Sequence, residues 1–504
     1  MFWALVCSLL LNGSKPEALA QDSILQKPVD ISAENQPVFE VLVALSQDLG
    51  YHFSYSSGLI PSDRRLTLHK KEIMLRQVLN QIFDSTSVEY QVLDKQIIIK
   101  SRYRIPSDTS SYEVSIYPYR EISGFVKEAN SGKPVPFASV SLVGKPVGTI
   151  TNTDGSFSLK IPQQFINDTI DVSSMGYKSI ARPIAAFTEN VALFLLEIDL
   201  IPIQEVIIRK TDPLGLISQA LDKIPDNYAT EPARYTTFYR EATQRNEEYV
   251  ALSEAVLYLY KTSYNNPYSN DQVKVFKSRK SIDISKLDTV TLKLKGGIET
   301  SLLLDLAKNP ADFLQKDNFA LYEFKVADIV SYDNHPTYAI AFDQRPEVNL
   351  PLFKGRLYID IETLAIRGAE FELSPRGIVH AGNTLVVKQT RRFKTRPTSA
   401  KYYVRYRQIG EKFYLNHVRF ETEFKVRKKR KLFSTTFKTI TELAVNNIDT
   451  TDVRRFRYRE IARIDDIFID QVQTYDPSFW GHLNFIPPDE SLEEAMERIN
   501  SILD

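Results

Sequence analysis

Residues 122–162 read ISGFVKEANSGKPVPFASVSLVGKPVGTITNTDGSFSLKIP, and this stretch decides the fold of the middle of the chain. Apolar and polar residues alternate along it, which is typical of strands with one buried face. Breaks that contain glycine and proline separate the alternating runs. The dipeptide Asp154-Gly155 predicts a tight hairpin turn, because glycine adopts positive φ without steric cost. We therefore predict a small antiparallel β-sandwich, with Phe157 pointing inward.

The same stretch resembles a known domain family. Its motifs, in the family's order, are GFV at 124–126, PVPFASV at 134–140, GT at 148–149, TDGSF at 153–157 and MGY at 175–177. They resemble the carboxypeptidase-regulatory-like domain, which implies a seven-stranded, transthyretin-like sandwich over residues 121–209. Domains of that family are not themselves catalytic, so the resemblance implies a structural spacer.

The first residues of the chain predict export. An apolar run at residues 2–11 precedes the small-residue sequence ALA at 18–20. A short apolar run followed by such a site is typical of a secretory signal peptide and is too short to span a membrane. We expect residues 1–20 to be removed, which leaves Gln21 first, and the protein to reach the periplasm or the periplasmic face of the outer membrane. Lipidation of Cys7 is a weaker alternative, because the residue before it is larger than lipidation sites prefer.

Charge and cysteine content limit the kinds of partner and site. The chain has 63 basic and 63 acidic residues, so its net charge gives no reason to expect nucleic acid as a partner. Its one cysteine lies in the predicted signal peptide, which leaves the mature chain without disulfides or thiolate metal sites. A length of 504 residues suggests about three domains. After the signal peptide, no apolar run reaches the roughly 18 residues of a membrane-spanning helix.

Residues 21–100 predict a small α/β module. Apolar residues follow helical spacing at 38–49 and 75–82, between short alternating runs. We expect Pro37 to open the first helix. The order β–α–β, then β–α–β–β, and the sequences FSYSSGLI, LRQVLNQIF and YQVLDKQIIIK resemble the secretin-and-TonB N-terminal (STN) domain. That resemblance implies a periplasmic signalling module that binds an envelope protein partner. Its last strand, residues 96–100, is either central in a sheet or an exposed docking edge.

The rest of the chain predicts a large β-rich domain. A polar linker, residues 101–120, separates the first module from the sandwich. Residues 210–504 contain long alternating runs, with helices at 299–314 and 491–502. The hairpin sequence GRLYIDIETLAIRGAEFEL at 355–373 resembles sheets in the half-barrels of periplasmic lipoprotein carriers. The sequences FYREA and YDPSFWGHLNFIPPDE resemble uncharacterised C-terminal regions of Bacteroidota envelope proteins. The expected fold is multidomain and mainly β: an α/β module, an antiparallel sandwich, and a large antiparallel domain with a few helices.

No catalytic motif occurs in the sequence. It contains no H-E-x-x-H, G-x-S-x-G, glycine-rich phosphate loop or C-x-x-C, and its six histidines are scattered at positions 52, 69, 335, 380, 417 and 482. We interpret His335 as part of a turn with Asp333 and Asn334. Asn152 and Asp154 fit a hairpin better than a calcium loop. We therefore predict a non-enzyme, with no catalytic, cofactor-binding or metal-binding residues.

Two basic clusters have alternative interpretations. They are RKKRK at 427–431 and the arginines at 454, 455, 457 and 459. Both could bind anionic lipid headgroups or phosphate at the envelope surface. The alternative is a strand-connecting loop and solvated strand faces, and we favour it because Arg455, Arg457 and Arg459 would share one face of a strand.

Three classes of function follow from these features. The module order favours a non-catalytic interaction or signalling protein of the cell envelope, with an envelope protein partner bound by the N-terminal module. The alternative is a periplasmic carrier that binds an apolar or lipid ligand in its C-terminal β domain, with lipid or outer-membrane association. An enzyme is the third class, since convergent catalytic sites need no shared motif.

Overall fold

A computed structural model of the chain describes residues 24–55, 65–83, 88–93, 96–101, 119–188, 191–199, 201, 211–266, 269–282, 293–294, 297–381, 386–388, 393–429, 433–464 and 479–503. The chain divides into two compact units, Met1–Ser115 and Ile116–Asp504. The predicted signal peptide, residues 1–20, and most of the predicted linker lie outside the described residues.

The first unit contains two helices and five strands in the order that the sequence predicts. They are β1 (Pro28–Pro37), α1 (Val38–Leu49), β2 (His52–Tyr55), β3 (Arg65–Met74), α2 (Leu75–Ile82), β4 (Val88–Leu93) and β5 (Gln96–Ser101). Strands β1 and β3 form an antiparallel ribbon, and the other three form a sheet of order β2-β5-β4. The apolar face of α2 is fully buried, which gives this unit its own core.

One detail of this unit decides between two predicted alternatives, and a second corrects the sequence interpretation. Strand β5 is central, since it pairs with β2 in parallel and with β4 antiparallel. Its residues Ile97 and Ile99 are buried, so the interpretation of residues 96–100 as a docking edge is wrong. Pro37 does not open the helix. It ends β1 opposite Arg65, where a proline costs little because the pairing ends there.

The second unit begins with a seven-stranded sandwich. Its strands are β6 (Tyr119–Glu128), β7 (Ser139–Leu142), β8 (Gly148–Ile150), β9 (Ser156–Pro162), β10 (Thr169–Ser173), β11 (Ile180–Pro183) and β12 (Val191–Leu196). They form two sheets, of orders β11-β10-β7-β8 and β12-β6-β9. The pairings are antiparallel except for β12, which runs parallel to β6. Apolar side chains from both sheets meet in one core, as alternation predicts.

The predicted tight turn at Asp154-Gly155 and the inward position of Phe157 are confirmed, but the turn does not close a hairpin, because β8 and β9 belong to different sheets. Gly155 has φ +73°, and the Asn152 side chain accepts hydrogen bonds from the Asp154 and Ser156 backbones. Phe157 points inward and is 1% exposed. Asn152 therefore stabilises a tight turn that carries the chain from one sheet of the sandwich to the other.

The remainder of the second unit is built on a ten-stranded antiparallel sheet, called the large sheet below. Its strands are β13 (Ala233–Arg245), β14 (Glu248–Lys261), β15 (Gln272–Ile282), β17 (Tyr322–Tyr332), β18 (His335–Gln344), β19 (Phe353–Asp360), β20 (Ile366–Leu373), β22 (Phe393–Ile409), β23 (Lys412–Lys428) and β24 (Thr435–Asp449). Their order is β15-β14-β13-β24-β23-β22-β20-β19-β18-β17. Two short strands, β16 (Lys293–Leu294) and β21 (Val386–Lys388), pair separately. The mainly β fold class predicted from the sequence is confirmed.

The helices of this unit are short. They are α3 (Pro213–Asp222), α4 (Ile224–Asn227), α5 (Gly297–Leu303), α6 (Gly377–His380) and α7 (Glu490–Leu503). The single helix predicted at 299–314 is wrong, since α5 ends at Leu303 and a 3-10 turn follows at Asp312–Leu314. The chain turns after Leu303, where the Asp305 side chain is held by Lys261, Tyr264 and Tyr406. Asn309-Pro310 then excludes a continuous helix to Leu314, because proline disfavours a helical residue before it and lacks an N–H of its own.

The two faces of the large sheet are covered by different parts of the chain. One face packs against α3, α5 and the segment 304–321 and holds the largest apolar cluster. The opposite face carries the sandwich, the segment 479–490 and α7. The large sheet is therefore a middle layer, and only part of its second face is left to solvent.

A buried ionic cluster lies at the apolar face. Lys261 Nζ lies 2.6 Å from Asp271 and 2.7 Å from Asp305. Burial acts to lower the pKa of Lys261, but the two carboxylates outweigh burial and raise it. Hydroxyl groups of Tyr264 and Tyr406 donate to Asp305 at 2.8 and 2.7 Å. The buried charges are thus paired, as an apolar interior requires.

Candidate functional site

One residue from every strand of the large sheet lines up in a single row on the face that carries the sandwich. The row, defined by the strand register, is Arg279, Glu254, Arg240, Glu442, Arg419, Tyr403, Glu370, Arg356, Ala341 and Lys325. Its first five members alternate in charge. Since opposite charges directly across neighbouring strands attract, the row stabilises this register.

The first part of the row is buried. Glu254 lies between Arg240 at 2.7 Å and Arg279 at 2.6 Å, and all three side chains are at most 7% exposed. Arg240 also donates to the Ile486 carbonyl at 2.7 Å. The segment 479–490 therefore excludes water from an ion triad whose charges satisfy one another.

In the middle of the row, the fold places His417 in a charged network. His417 Nε2 lies 3.1 Å from Glu442, and Arg419 lies 3.4 Å from the same oxygen. Burial lowers the pKa of His417. Burial acts to raise the pKa of Glu442, but Arg419 and His417 outweigh it and lower the pKa to about 2. Sequence reasoning missed this network, because only the register between β23 and β24 brings Glu442 to His417 and Arg419.

Phe137 of the sandwich covers this network. Its ring centroid lies 5.6 Å from that of His417 and 5.4 Å from that of Tyr403. The Arg419 guanidinium lies 4.9 Å from the Phe137 ring centroid. Phe137 has φ +58°, a conformation that costs free energy in a residue with a bulky side chain. The contacts with the large sheet offset that cost.

Further hydrogen bonds fix the sandwich to the large sheet. Arg407 donates to the carbonyls of Pro146 and Val147 at 3.3 and 3.4 Å, and burial lowers the Arg407 pKa to about 10. The Gly176 N–H donates to the Ser331 carbonyl at 2.7 Å. These bonds join the sandwich to β17 and β22 in addition to the aromatic contacts of Phe137.

The segment 479–490 joins the sandwich and the large sheet from the other side. The Asn484 side chain accepts from the Lys160 N–H at 2.6 Å, and its carbonyl accepts from Asn446 at 2.6 Å. Asn152 donates to the Pro488 carbonyl at 2.9 Å. Trp480 packs among apolar residues of both parts. The sandwich is thus held on two sides, and we call it and the large sheet the platform.

An open polar groove remains where the platform is not covered. It encloses about 1030 Å³ beside Phe137, above strands β17 to β23. Its charged lining consists of five acidic and five basic residues: Glu323, Asp343, Glu370, Glu372, Glu421, Lys325, Lys354, Arg356, Lys401 and Arg419. We call this space the polar groove.

Some charges in the polar groove are paired within the protein. Lys354 lies 3.1 Å from Glu372, and Arg419 lies 2.7 Å from Glu421. Glu370 pairs with Arg405, a buried residue at the base of the groove. These pairs fix the floor of the groove.

Other charges in the groove make no ion pair with any described residue. They include the basic residues Lys325, Arg356 and Lys401. Glu323 and Asp343 lie directly opposite each other on β17 and β18 and also lack one. Like charges at such positions repel, so the groove leaves charge of both signs available.

The lining combines charged and aromatic side chains. Among the described residues that line the groove, none is a serine, cysteine or histidine. The described part of the chain also holds no group of three or more side chains placed to bind a metal ion. What the arrangement offers is a set of fixed charges beside the Phe137 and Tyr403 rings.

The structure also shows the surroundings of His335 and of the arginines at 455, 457 and 459. His335 begins β18 after Asp333 and Asn334, whose φ values are +52° and +60°, which confirms the turn. The expectation of a strand face for Arg455, Arg457 and Arg459 is wrong. This stretch leaves β24 and ends in a 3-10 turn at Tyr458–Glu460. Hydrogen bonds to β15 hold the stretch in this irregular path, since the Phe456 N–H donates to the Gln272 side chain and the Ala462 N–H to the Val273 carbonyl, both at 2.8 Å.

The apolar face of the large sheet, where a carrier would hold its ligand, is densely packed in the described part. Phe313 stacks on Phe342 with ring centroids 4.1 Å apart, and Phe371 approaches it at 5.0 Å. None of the described helices combines the length and the apolar character needed to cross a membrane.

Comparison with known proteins gives one clear match and several low similarities. A DUF1329 family protein from Desulfovibrio piger ATCC 29098 aligns at 11% identity with a TM-score of 0.23, over 50% of this chain and 100% of its own. Lipovitellin, solved for its lipid–protein interactions, aligns at 6% identity with a TM-score of 0.22, over 45% of this chain and 26% of its own. No curated protein matches the chain. Residues 122–208 match the CarboxypepD_reg-like domain, and the sandwich of this chain is therefore a carboxypeptidase-regulatory-like domain.

Proposed function

We propose that this chain is a non-catalytic interaction protein of the Bacteroidota cell envelope, in which the polar groove binds a protein partner. The observation that supports this most is the lining of the groove, where five acidic and five basic side chains surround about 1030 Å³. Fixed charges of both signs on one surface select partners and speed their association. The carboxypeptidase-regulatory-like domain acts here as part of the binding surface, through Phe137, as well as a spacer.

Unpaired charges of both signs favour a polypeptide as the ligand of the groove. Lys325, Arg356 and Lys401 are available for carboxylates, and the opposed pair Glu323 and Asp343 is available for a lysine or arginine. A nucleic acid or an anionic lipid surface supplies negative charge only, and would repel the acidic pair. A protein surface supplies both.

The electrostatics of the groove favour binding over catalysis. A general acid or base needs a pKa near the working pH. Burial acts to raise the pKa of Glu421, but Arg419 and Lys438 outweigh burial and hold the pKa below its ordinary value. Glu370 and Glu372 are also ion-paired. Glu421 therefore carries a permanent charge at neutral pH and is poorly suited to act as a general acid or base.

We also propose that the N-terminal module, residues 21–100, is an STN-like signalling domain, exported with the rest of the chain to the periplasm. A partner strand would add to a free edge of its three-stranded sheet. Among the described strands of this sheet, the edges are β2 and β4, since β5 is central. An exposed edge offers backbone donors and acceptors to such a strand.

The carrier remains a second candidate. Its support is the extent of the apolar face of the large sheet, which α3, α5 and the segment 304–321 cover. The stacked Phe313 and Phe342 occupy the space that a lipid chain would need. A lipid retained by the full chain in native mass spectrometry would move the carrier ahead of the interaction protein.

Site-specific crosslinking in cells tests the proposal. A photoreactive phenylalanine analogue would replace Arg356 or Lys401 in the full chain, with Lys178 as the control, because its side chain is 58% exposed on the sandwich. We expect the same protein adduct from both groove positions and not from position 178.

A charge-reversed variant then tests the chemistry of the contact. Glu323→Lys/Asp343→Lys in the crosslinking background should abolish the adduct, because the acidic pair would become basic. Equal adducts at Lys178, or groove positions that yield no protein adduct, would contradict the proposed function.

A further inference from the structure

One end of the large sheet is strongly basic. There the first residues of β22 meet the last residues of β23, just before the loop to β24. The exposed cations are Lys394, Arg396, Lys425, Arg427, Lys428 and Lys429. Over the same two stretches, 393–399 and 423–429, the one acidic residue is Glu423, which accepts a hydrogen bond from Thr398 at 2.7 Å. We call these six cations the basic strand end.

The strand register places like charges directly opposite each other. Lys394 lies opposite Arg427, and Arg396 lies opposite Lys425. Residues two apart on a strand share a face, so the four cations project from one face of the sheet. Such pairs destabilise a sheet unless an anion lies between them. In the part of the chain that the structure describes, none of the four makes an ion pair.

An apolar side chain lies beside these cations. Phe433, between β23 and β24, is 89% exposed. An exposed aromatic ring lacks the hydrophobic stabilisation that burial in a core would give it. Basic residues beside an exposed aromatic residue are typical of surfaces that lie on membranes, where the ring enters the boundary between headgroups and acyl chains.

We propose that the basic strand end binds an anionic lipid membrane, with lipid phosphates between the opposed cation pairs and the Phe433 ring in the interfacial layer. The site differs from the polar groove in charge, since six cations accompany one carboxylate here, whereas the groove is balanced. Charge complementarity therefore selects a purely anionic surface for this site. The chain's overall neutrality does not conflict with it, because the charge is local.

The basic strand end is separate from the residues that line the polar groove, although both lie on the same face of the large sheet, with Lys425 four residues beyond Glu421 along β23. Membrane binding would place this end of the large sheet at a lipid surface. The Phe433 ring distinguishes a lipid surface from a soluble polyanion, because a nucleic acid or polysaccharide offers no apolar layer for it to enter.

Vesicle sedimentation with the full chain tests the proposal. Vesicles of 70% phosphatidylcholine and 30% phosphatidylglycerol would be compared with phosphatidylcholine alone, at low and high salt. Each basic residue near an anionic surface is worth about fivefold in partitioning. We therefore expect Lys425→Gln/Arg427→Gln to weaken binding by roughly 30-fold.

Two further variants make the test specific. Arg457→Gln/Arg459→Gln removes the same charge from exposed arginines outside the site and should bind like the unmodified protein. Phe433→Ser should weaken vesicle binding while leaving binding to a DNA oligonucleotide unchanged. Since all of these side chains are exposed, the variants should keep the melting temperature of the unmodified protein.

Three results would overturn the proposal. They are no binding of the folded protein to anionic vesicles, an equal loss in the Arg457→Gln/Arg459→Gln control, and vesicle binding that Phe433→Ser does not change. The last result, together with tight oligonucleotide binding, would assign the site to a soluble polyanion instead.

Discussion

Phe137 of the sandwich and His417 of the large sheet lie with their ring centroids 5.6 Å apart, and this contact holds Phe137 at φ +58°. Within the sandwich, the Phe137 and Ala138 N–H groups donate to Thr151 at 3.1 and 2.9 Å, so hydrogen bonds and the ring contact together maintain this unfavourable conformation above a buried histidine–carboxylate pair. The relationship gives a direct test of how the two parts are joined.

Replacing Phe137 should weaken the attachment of the sandwich to the large sheet. Phe137→Ala removes the ring contacts with Tyr403, His417 and Arg419 and should destabilise the protein by about 1–3 kcal/mol, less than a fully buried phenylalanine would. Chemical denaturation measures this loss. Phe137→Gly provides the control, since it removes the same ring but relieves the positive φ. A Phe137→Gly variant less stable than Phe137→Ala would show that the positive φ is not a source of strain.

Alanine substitutions at two glycines of the sandwich, Gly155 in the tight turn and Gly132, should lower stability by different amounts. A Cβ added at Gly155 would lie 2.5 Å from the Val126 carbonyl oxygen, whereas one added at Gly132 meets nothing within 4 Å. Both residues have positive φ, so both substitutions carry a backbone cost of about 1 kcal/mol. Gly155→Ala should therefore lower the melting temperature more than Gly132→Ala. Equal losses would show that the backbone moves freely at Gly155.

Asp171 should make the free energy of unfolding decrease as pH rises. Burial and the neighbouring Asp333 raise the Asp171 pKa to about 7. The unfolded group has its ordinary pKa near 4, so the folded state binds more protons between these values. Stability contributed by Asp171 is therefore lost as pH rises towards and beyond 7.

Asp171→Asn should accordingly stabilise the protein at pH 8, by up to a few kcal/mol, and have little effect near pH 4. Denaturant titrations at the two pH values measure the difference. Glu197→Gln is the control, because that side chain is 67% exposed and its substitution should change stability little at either pH. A benefit of Asp171→Asn that is equal at both pH values would contradict the assigned cause.

The buried ionic cluster should be sensitive to the loss of its cation. Lys261→Met leaves Asp271 and Asp305 without their shared partner and should cost about 3–5 kcal/mol. Asp305→Asn in the same background should recover part of the loss, because it removes one uncompensated charge. Lys274→Met, at a partly exposed ion pair with Glu460, should change the melting temperature little by comparison. Similar losses for both lysines would argue against burial as the cause.

Local pattern predicted much of the fold. The strand Ile366–Leu373 has the bounds that alternation indicates, and the hairpin containing it forms as expected. Phe157 is buried because its position in the alternation determines its face. The prediction failed near Pro310, where an apolar helical pattern continues through residues that cannot form a helix.

The candidate site could not be predicted in the same way. Glu254 and Arg240 look like solvent-facing charges on alternating strands, and only the docked segment 479–490 makes them buried. Glu442 joins them through pairing between strands far apart in the chain. Nothing in the local sequence specifies such a partner. The Phe479-Trp480 pair is the one sequence signal that could have indicated a docked segment there.

The segment 479–490 has a consequence for synthesis. Its contacts join residues separated by more than 300 positions, such as Thr149 and Phe485, and it follows every strand of both sheets. Until the ribosome has released it, Ile150, Phe238 and Val256 lack the side chains that bury them. A nascent chain therefore presents an adhesive apolar surface until residues 479–490 emerge and cover it, and chaperones that retain such surfaces would hold the chain until then.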